Sequence, residues 1–287
     1  MKLFKPSELH QFLQELGISA KKSLSQHFLI DGNIIRKILG AAQVGPSDLI
    51  IEIGPGPGAL TEALLETGAN VIAIEMDKRF AAALERLQTP DKRLEVIQAD
   101  FLQFPIDAHL KNRLKPNQKA KVVANLPYHI TTPILATLFP MNSLISSLTV
   151  MVQKEVGERF VAPKGCADYS SFTLFLQFYA TAHYCFTVEA TCFSPPPRVK
   201  SAVLLCNLHT PPEVEDVTAF FLLTRTAFQH RRKMLRSSLR DLYAPNAIEN
   251  SLKSLGLNPQ ARPQDLSLEE FIAFFHACNE KYKSKDR

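Results

Sequence analysis

Ile51-Glu52-Ile53-Gly54-Pro55-Gly56-Pro57-Gly58-Ala59-Leu60-Thr61 is the stretch that decides the fold. It is entered from Leu49–Ile53, a short apolar run that reads as a buried strand. It leaves through residues 59–65, which carry apolar residues at helical spacing. Glycines at such a junction let the chain turn tightly and let a ligand approach the backbone closely. Working outward, residues 71–74 read as a second strand and 79–87 as a helix. Residues 94–97, 121–124 and 149–152 read as further strands, the last followed by a helix near Glu155. Upstream, helices are expected from Ser7 and from Asp31. Strands alternating with helices at this spacing predict an α/β fold with a parallel sheet covered on both faces.

The alternation stops after about Leu208. Residues 184–188 and 202–206 are the last β candidates, suited to a closing antiparallel pair, and from Glu213 the pattern is helical. Prolines 211 and 212 place a boundary near 209–212. The expected organisation is a sheet domain over 1–209 with an N-terminal helical extension, then a small all-helical domain over 210–287. The 287 residues, 46% hydrophobic and 21% charged, suffice for two such domains. Apolar runs are too short to span a membrane, and the N-terminus lacks the apolar core of a signal peptide. Five cysteines, an odd number without a C-x-x-C pair, argue against a disulfide framework or a zinc site, so no metal is expected and a cytoplasmic setting is. The net charge of +5 hints mildly at an anionic partner.

Glu75 ends the second strand, twenty-one residues after Gly54, where an acid can accept hydrogen bonds from both ribose hydroxyls of a nucleotide. Gly54-x-Gly56-x-x-Ala59 also fits a loose dinucleotide pattern. Two acids favour S-adenosylmethionine instead. Glu52 lies close enough to serve the loop or an ammonium group, and Asp100, just past the third strand, can accept from an adenine amine. A pyrophosphate is poorly hosted by an acid-rich mouth, whereas a sulfonium and an ammonium suit it.

Asn125-Leu126-Pro127-Tyr128 follows the fourth strand. The amine of adenine is a poor nucleophile because its lone pair is delocalised into the ring. A side-chain carbonyl at Asn125 and a backbone carbonyl at Leu126 can accept its hydrogens, which favours a pyramidal nitrogen facing a methyl donor. Pro127 sets the turn, and Tyr128 offers a flat face for an unpaired base. Alone, the motif reads as a proline turn capped by Asn; beside the glycine loop it reads as a methyl-transfer site.

On these residues the chain resembles the small-subunit type of ribosomal RNA adenine N6,N6-dimethyltransferase, the family whose loss confers kasugamycin resistance. The resemblance runs from Leu24-Ser25-Gln26-His27-Phe28-Leu29-Ile30-Asp31 through the two motifs above. It continues through Gln153-Lys154-Glu155-Val156 and Phe193-Ser194-Pro195-Pro196-Pro197-Arg198-Val199-Lys200-Ser201-Ala202-Val203 to Arg231-Arg232-Lys233-Met234-Leu235. It implies a Rossmann-like S-adenosylmethionine-dependent methyltransferase sheet with a small helical C-terminal domain. It also implies dimethylation of two adjacent adenosines in the 3′-terminal hairpin loop of 16S rRNA during small-subunit biogenesis, by a monomer acting on a subunit precursor. Matched by position, the donor contacts are His27, Leu29, Gly54, Gly56, Glu75, Asp100 and Asn125. His27 stands where the family usually has Asn, and Ser170 where a glycine often follows the tyrosine.

Between Arg225 and Arg240 there are six Lys or Arg residues and no acid. Phe221, Phe228, Leu235 and Leu242 recur every seven residues, and Arg225, Arg232, Arg236 and Arg240 fall on an adjoining stripe, as on one helix. An acid-free face reads as a phosphate-contacting surface, which Lys21, Lys22, Arg198 and Lys200 extend. Phe193 is a candidate second wall for the base, opposite Tyr128, or a core residue closing the sheet. Competing readings are a large-subunit methyltransferase of the macrolide-resistance type, a catalytically silent assembly factor on the same fold and, more distantly, a nicotinamide dehydrogenase.

Overall fold

A computed structural model describes residues 3–18 and 27–283, with side chains to 279. The chain divides into two compact units. One holds the described residues up to Gly157 together with Thr181–His209; the other holds Glu158–Ala180 and the described residues from Thr210 onward.

The first unit opens with helix α1 (Pro6–Glu15), the short strand β1 (Phe28–Leu29) and helix α2 (Gly32–Ala42). The side chain of Asp31 caps α2 by accepting from the backbone N–H groups of Asn33 and Ile34. Strands and helices then alternate: β2 (Leu49–Ile53), α3 (Ala59–Glu66), β3 (Asn70–Glu75), α4 (Lys78–Leu84), β4 (Leu94–Gln98), α5 (Ile106–Arg113), β5 (Ala120–Asn125), α6 (Thr131–Leu138) and β6 (Ile145–Gln153). Helix α7 (Lys154–Phe160) follows, and helix α8 (Ser171–Tyr179) leads into β7 (Ala180–Val188), β8 (Phe193–Ser194) and β9 (Ser201–Leu208).

Seven strands form one sheet in the order β4-β3-β2-β5-β6-β9-β7, while β1 and β8 make a separate antiparallel pair. The run β4 to β6 is parallel and β9 joins β6 antiparallel. Every residue of β2 is buried, as expected for a parallel strand covered on both faces. The strand order reverses between β2 and β5, and the carboxyl ends at such a switch point are where open α/β sheets bind ligands.

In the second unit, α8 packs with the helices α9 (Val217–Gln229), α10 (Leu235–Ser238), α11 (Pro245–Ser254) and α12 (Leu268–Lys283). The division at 209/210 coincides with the sequence boundary, but residues 158–180 lie outside the sheet domain expected over 1–209. The cause is aromatic: Phe175 and Phe178 of α8 lie against Phe221, with ring centroids 5.0 and 5.1 Å away. Ser170, the residue that departs from the family's glycine, starts α8 with a capping box shared with Thr173.

The single basic helix expected over 225–240 does not form. Helix α9 ends at Gln229, a turn covers 230–234, and α10 is a separate four-residue helix. The Leu235 N–H donates to the carbonyl of Ala261, and the Arg231 guanidinium donates to the carbonyls of Cys166 (2.5 Å) and Ala167. These distant partners hold the turn in place of helix continuation.

Candidate active site

The glycine loop between β2 and α3 is set by its own backbone. Gly56 has φ +55°, and a Cβ there would meet the Phe28 ring at 3.2 Å. Gly58 has φ +90°, and a Cβ would lie 2.6 Å from Leu84, so both positions require glycine. The Gly54 N–H extends the ladder to the Ile74 carbonyl at 2.9 Å. Arg86 braces the loop from outside, donating to the Pro57 carbonyl at 2.7 Å while its guanidinium lies over Phe12 of α1.

Beside the loop is a cavity of about 570 Å³ at the carboxyl edge of the sheet. It brings together His27, Leu29, Gly54, Gly56, Glu75, Asp100 and the whole run Asn125-Leu126-Pro127-Tyr128, from sites up to 101 residues apart in the chain. Glu52 lines it too, and among the described residues its lining includes no Lys or Arg. Leu3, Leu9 of α1 and Phe80 of α4 also line it; the apolar face of α1 signals Leu9 alone.

Glu75 is buried and bonded on both oxygens: Oε2 accepts from the Gly56 N–H at 2.9 Å and Oε1 from the Asp77 N–H at 2.8 Å. Burial raises its pKa, and these N–H groups pull it back. An ionised carboxylate offers about four lone-pair sites, so capacity for two hydroxyls is left. Asp100 turns its own loop, accepting from the Leu102 N–H at 3.0 Å and from the Gln103 side chain at 3.1 Å. Glu52 is 2% exposed, and its Oε2 has no hydrogen-bond partner. Burial pushes its pKa up to about 8; the Thr61 hydroxyl opposes this and the nearby Glu75 charge adds to it. Glu52 therefore keeps its proton at neutral pH, and its orphaned oxygen fits a ligand that brings hydrogen-bond donors.

Asn125 closes β5 opposite Met151. Its amide nitrogen donates to the His27 carbonyl at 3.3 Å, which orients the group and leaves Oδ1 to accept from a ligand. Leu126 is buried, its N–H tied to the Met151 carbonyl. Pro127 leads into a turn closed by the Ile130 N–H and the Thr131 hydroxyl on the Pro127 carbonyl. Tyr128 lies near-parallel to the His27 ring, with centroids 5.9 Å apart. Its hydroxyl bonds Ser201 at 2.6 Å, and burial raises its pKa.

The other expected residues scatter. Phe193 is 2% exposed, pairs with Leu29 across the short sheet and packs into the core, away from the cavity lining. This agrees with its reading as a core residue closing the sheet and leaves it outside the residues that line the cavity. Arg225, Arg232, Arg236 and Arg240 are exposed, but Arg236 is paired with Glu249 at 2.7 Å and Arg240 with Asp241 at 3.7 Å. Arg198 is exposed, and Lys200 is paired with Glu189 at 2.8 Å. Lys21 and Lys22 lie outside the described residues. Among the described residues no group of His, Cys, Asp or Glu could hold a metal ion, and no helix is long and apolar enough to cross a membrane.

A parallel sheet with a glycine loop after its first strand, an acid ending the next and an Asn-Leu-Pro-Tyr turn after the fourth defines a Rossmann-like methyltransferase. Solved structures agree on the fold. A dimethyladenosine transferase from Plasmodium falciparum superimposes with a TM-score of 0.71 at 24% identity, covering 89% of this chain and 98% of that one. The 23S rRNA methyltransferase ErmE gives 0.65 at 24% identity, covering 88% and 99%. The sequence pattern of the ribosomal RNA adenine dimethylase family matches residues 17–280, and the chain belongs to that family. Among its relatives is a Protochlamydia amoebophila protein named ribosomal RNA small subunit methyltransferase A, 55% identical over 276 residues, 96% of this chain and 97% of that one. A Chlamydia muridarum protein of the same name is 44% identical over 271 residues, 93% of this chain and 95% of that one.

Proposed function

We propose that the protein transfers methyl groups from S-adenosylmethionine to the N6 amines of two adjacent adenosines in the 3′-terminal hairpin loop of 16S rRNA. It acts as a cytoplasmic monomer on a small-subunit precursor. The observation that carries this reading is the Asn125 amide, whose nitrogen is tied to the His27 carbonyl while its oxygen is left to accept, beside Tyr128 in an acid-lined cavity. When bound, S-adenosylmethionine supplies an electrophilic methyl group. Glu75 accepts the ribose hydroxyls and Asp100 the adenine amine, while His27, Leu29, Gly54 and Gly56 shape the cavity around the donor. The Asn125 side chain and the Leu126 carbonyl accept the hydrogens of the target amine and turn its lone pair toward the methyl group, while Tyr128 stacks the base. Positioning and electrostatics carry the reaction, because the sulfonium charge disperses as it proceeds and the product ammonium loses its proton readily. Exposed cations of the second unit, Arg225 and Arg232 foremost, meet RNA phosphates, as does Arg198. The names carried by the 55% and 44% identical relatives favour the small subunit as the target over the large.

The test is to map methylated adenosines on ribosomal RNA from cells with and without the protein. Purified protein is then supplied with labelled S-adenosylmethionine and unmethylated small or large subunits. Loss of the paired dimethyladenosines from 16S rRNA, restored in vitro on small subunits, is the expected result. Methylation of 23S rRNA instead, or of neither, overturns it.

A further inference from the structure

Residues 193–203 mark the family resemblance, yet the catalytic reading leaves most of them without a task. Both ends of the stretch 195–201 reach the aromatic pair at the cavity. At one end the Pro195 carbonyl lies 2.7 Å from His27 Nδ1; a carbonyl only accepts, so this nitrogen carries the proton. The His27 ring in turn lies against Tyr128. At the other end the Ser201 hydroxyl bonds the Tyr128 hydroxyl at 2.6 Å. Ser201 is fully buried and sits opposite Gln153, the last residue of β6. Because β9 runs antiparallel, its first residue lands at the edge where the parallel strands end.

We propose that residues 195–201 clamp the Tyr128 ring, with Ser201 and His27 as positioning residues for the base platform. The inference rests on the reading of Tyr128 as the surface on which the target base stacks. A tyrosine at a cavity mouth can swing about its two side-chain torsions. The bond at the far end of the ring stops that swing, and His27 covers one face. A base is then offered a single face at a set angle, which determines where its amine falls relative to Asn125. The clamp therefore governs turnover more than RNA affinity.

The test is a double-mutant cycle of Ser201→Ala and Tyr128→Phe, with steady-state constants on unmethylated small subunits, S-adenosylhomocysteine titrated by calorimetry, and far-UV melting to verify folding. Each single variant should lower kcat about three- to tenfold, the scale of one buried hydrogen bond. The double variant should fall no further, since both remove the same contact. KM for RNA and affinity for S-adenosylhomocysteine should stay within about twofold. Unchanged kcat in a folded Ser201→Ala protein, or losses that multiply in the double variant, overturns the clamp while leaving the methyltransferase reading intact. A wild-type protein that methylates no adenosine overturns both. If Ser201→Ala does not fold, the Tyr128→Phe arm decides. A target RNA with 2-aminopurine at the methylated position should be quenched less by Tyr128→Phe than by wild type, while kcat on unmodified, unmethylated small subunits falls. Equal quenching and equal kcat overturn the clamp.

Discussion

Asn125 offers its two amide atoms to different partners, the nitrogen to the His27 carbonyl and the oxygen to a ligand. Its nitrogen is engaged by the His27 carbonyl, so truncation removes the acceptor without disturbing the acids around the donor. Asn125→Ala should lower kcat by at least about 100-fold, the scale for removing a group aimed at the transition state. Binding of S-adenosylhomocysteine, followed by calorimetry, should weaken only a few-fold. Glu75 gives the complementary split: Glu75→Ala should loosen S-adenosylhomocysteine at least ~10-fold, since hydrogen bonds to a charged group are lost. Calorimetry checks this as well, and unchanged affinity would remove Glu75 from the donor site. The place of both at the cavity was legible in the sequence because each ends its own strand at the carboxyl edge of the sheet. The Ser201 partner of Tyr128 was not legible. It lies 73 residues away and arrives only through the antiparallel pairing of β9 with β6.

Among the elements, the sharpest difference between sequence and structure is the basic segment. A seven-residue period in Phe221, Phe228, Leu235 and Leu242 is compatible with one helix, yet the chain breaks after Gln229. Residues that hold the break, Cys166, Ala167 and Ala261, are remote in sequence, and local periodicity carries no trace of them. The break sorts the arginines. Arg236 and Arg240 already have acidic neighbours, whereas Arg225 and Arg232 are exposed without an acidic partner among the described residues. Replacing Arg225 and Arg232 together with Gln should weaken RNA binding and reduce the slope of log K against log salt by about 1.4–1.8 units, at ~0.7–0.9 per phosphate contact. The same change at Arg236 and Arg240 should alter the slope less. Paired titrations across salt concentrations read both, and equal slopes would move the RNA surface toward Arg198 and Lys200. Helix α8 escaped notice for a related reason: Ser171–Tyr179 is apolar nearly all round, and such a segment announces burial without saying in which unit.

For the molecule as a whole, the buried carboxyls of the cavity make stability depend on pH. Glu52 titrates near 8 in the folded chain against 4.5 when exposed, so the native state keeps a proton that the unfolded state releases. The unfolded state therefore binds fewer protons over that interval, and stability falls as pH rises from about 4.5 to 8, then levels off. Glu75, raised in the same direction, adds to the slope. Glu52→Gln should flatten most of this dependence and raise the melting temperature more at pH 9 than at pH 6, measured by circular dichroism. An identical pH profile in the variant would show that the carboxyl is ionised in the folded protein.

The strand order has one more consequence, for the protein's own birth. When a ribosome has released the chain only as far as Arg113, strands β2, β3 and β4 are present, and β2 is the open edge of what they can form. That edge is Leu-Ile-Ile-Glu-Ile, buried along its whole length in the finished protein and without a lysine or proline to discourage pairing with another chain. Only when β5 emerges does it gain its second neighbour, and the same event delivers Asn125 to the glycine loop. The nascent enzyme thus loses its stickiest edge and completes its cavity in a single step.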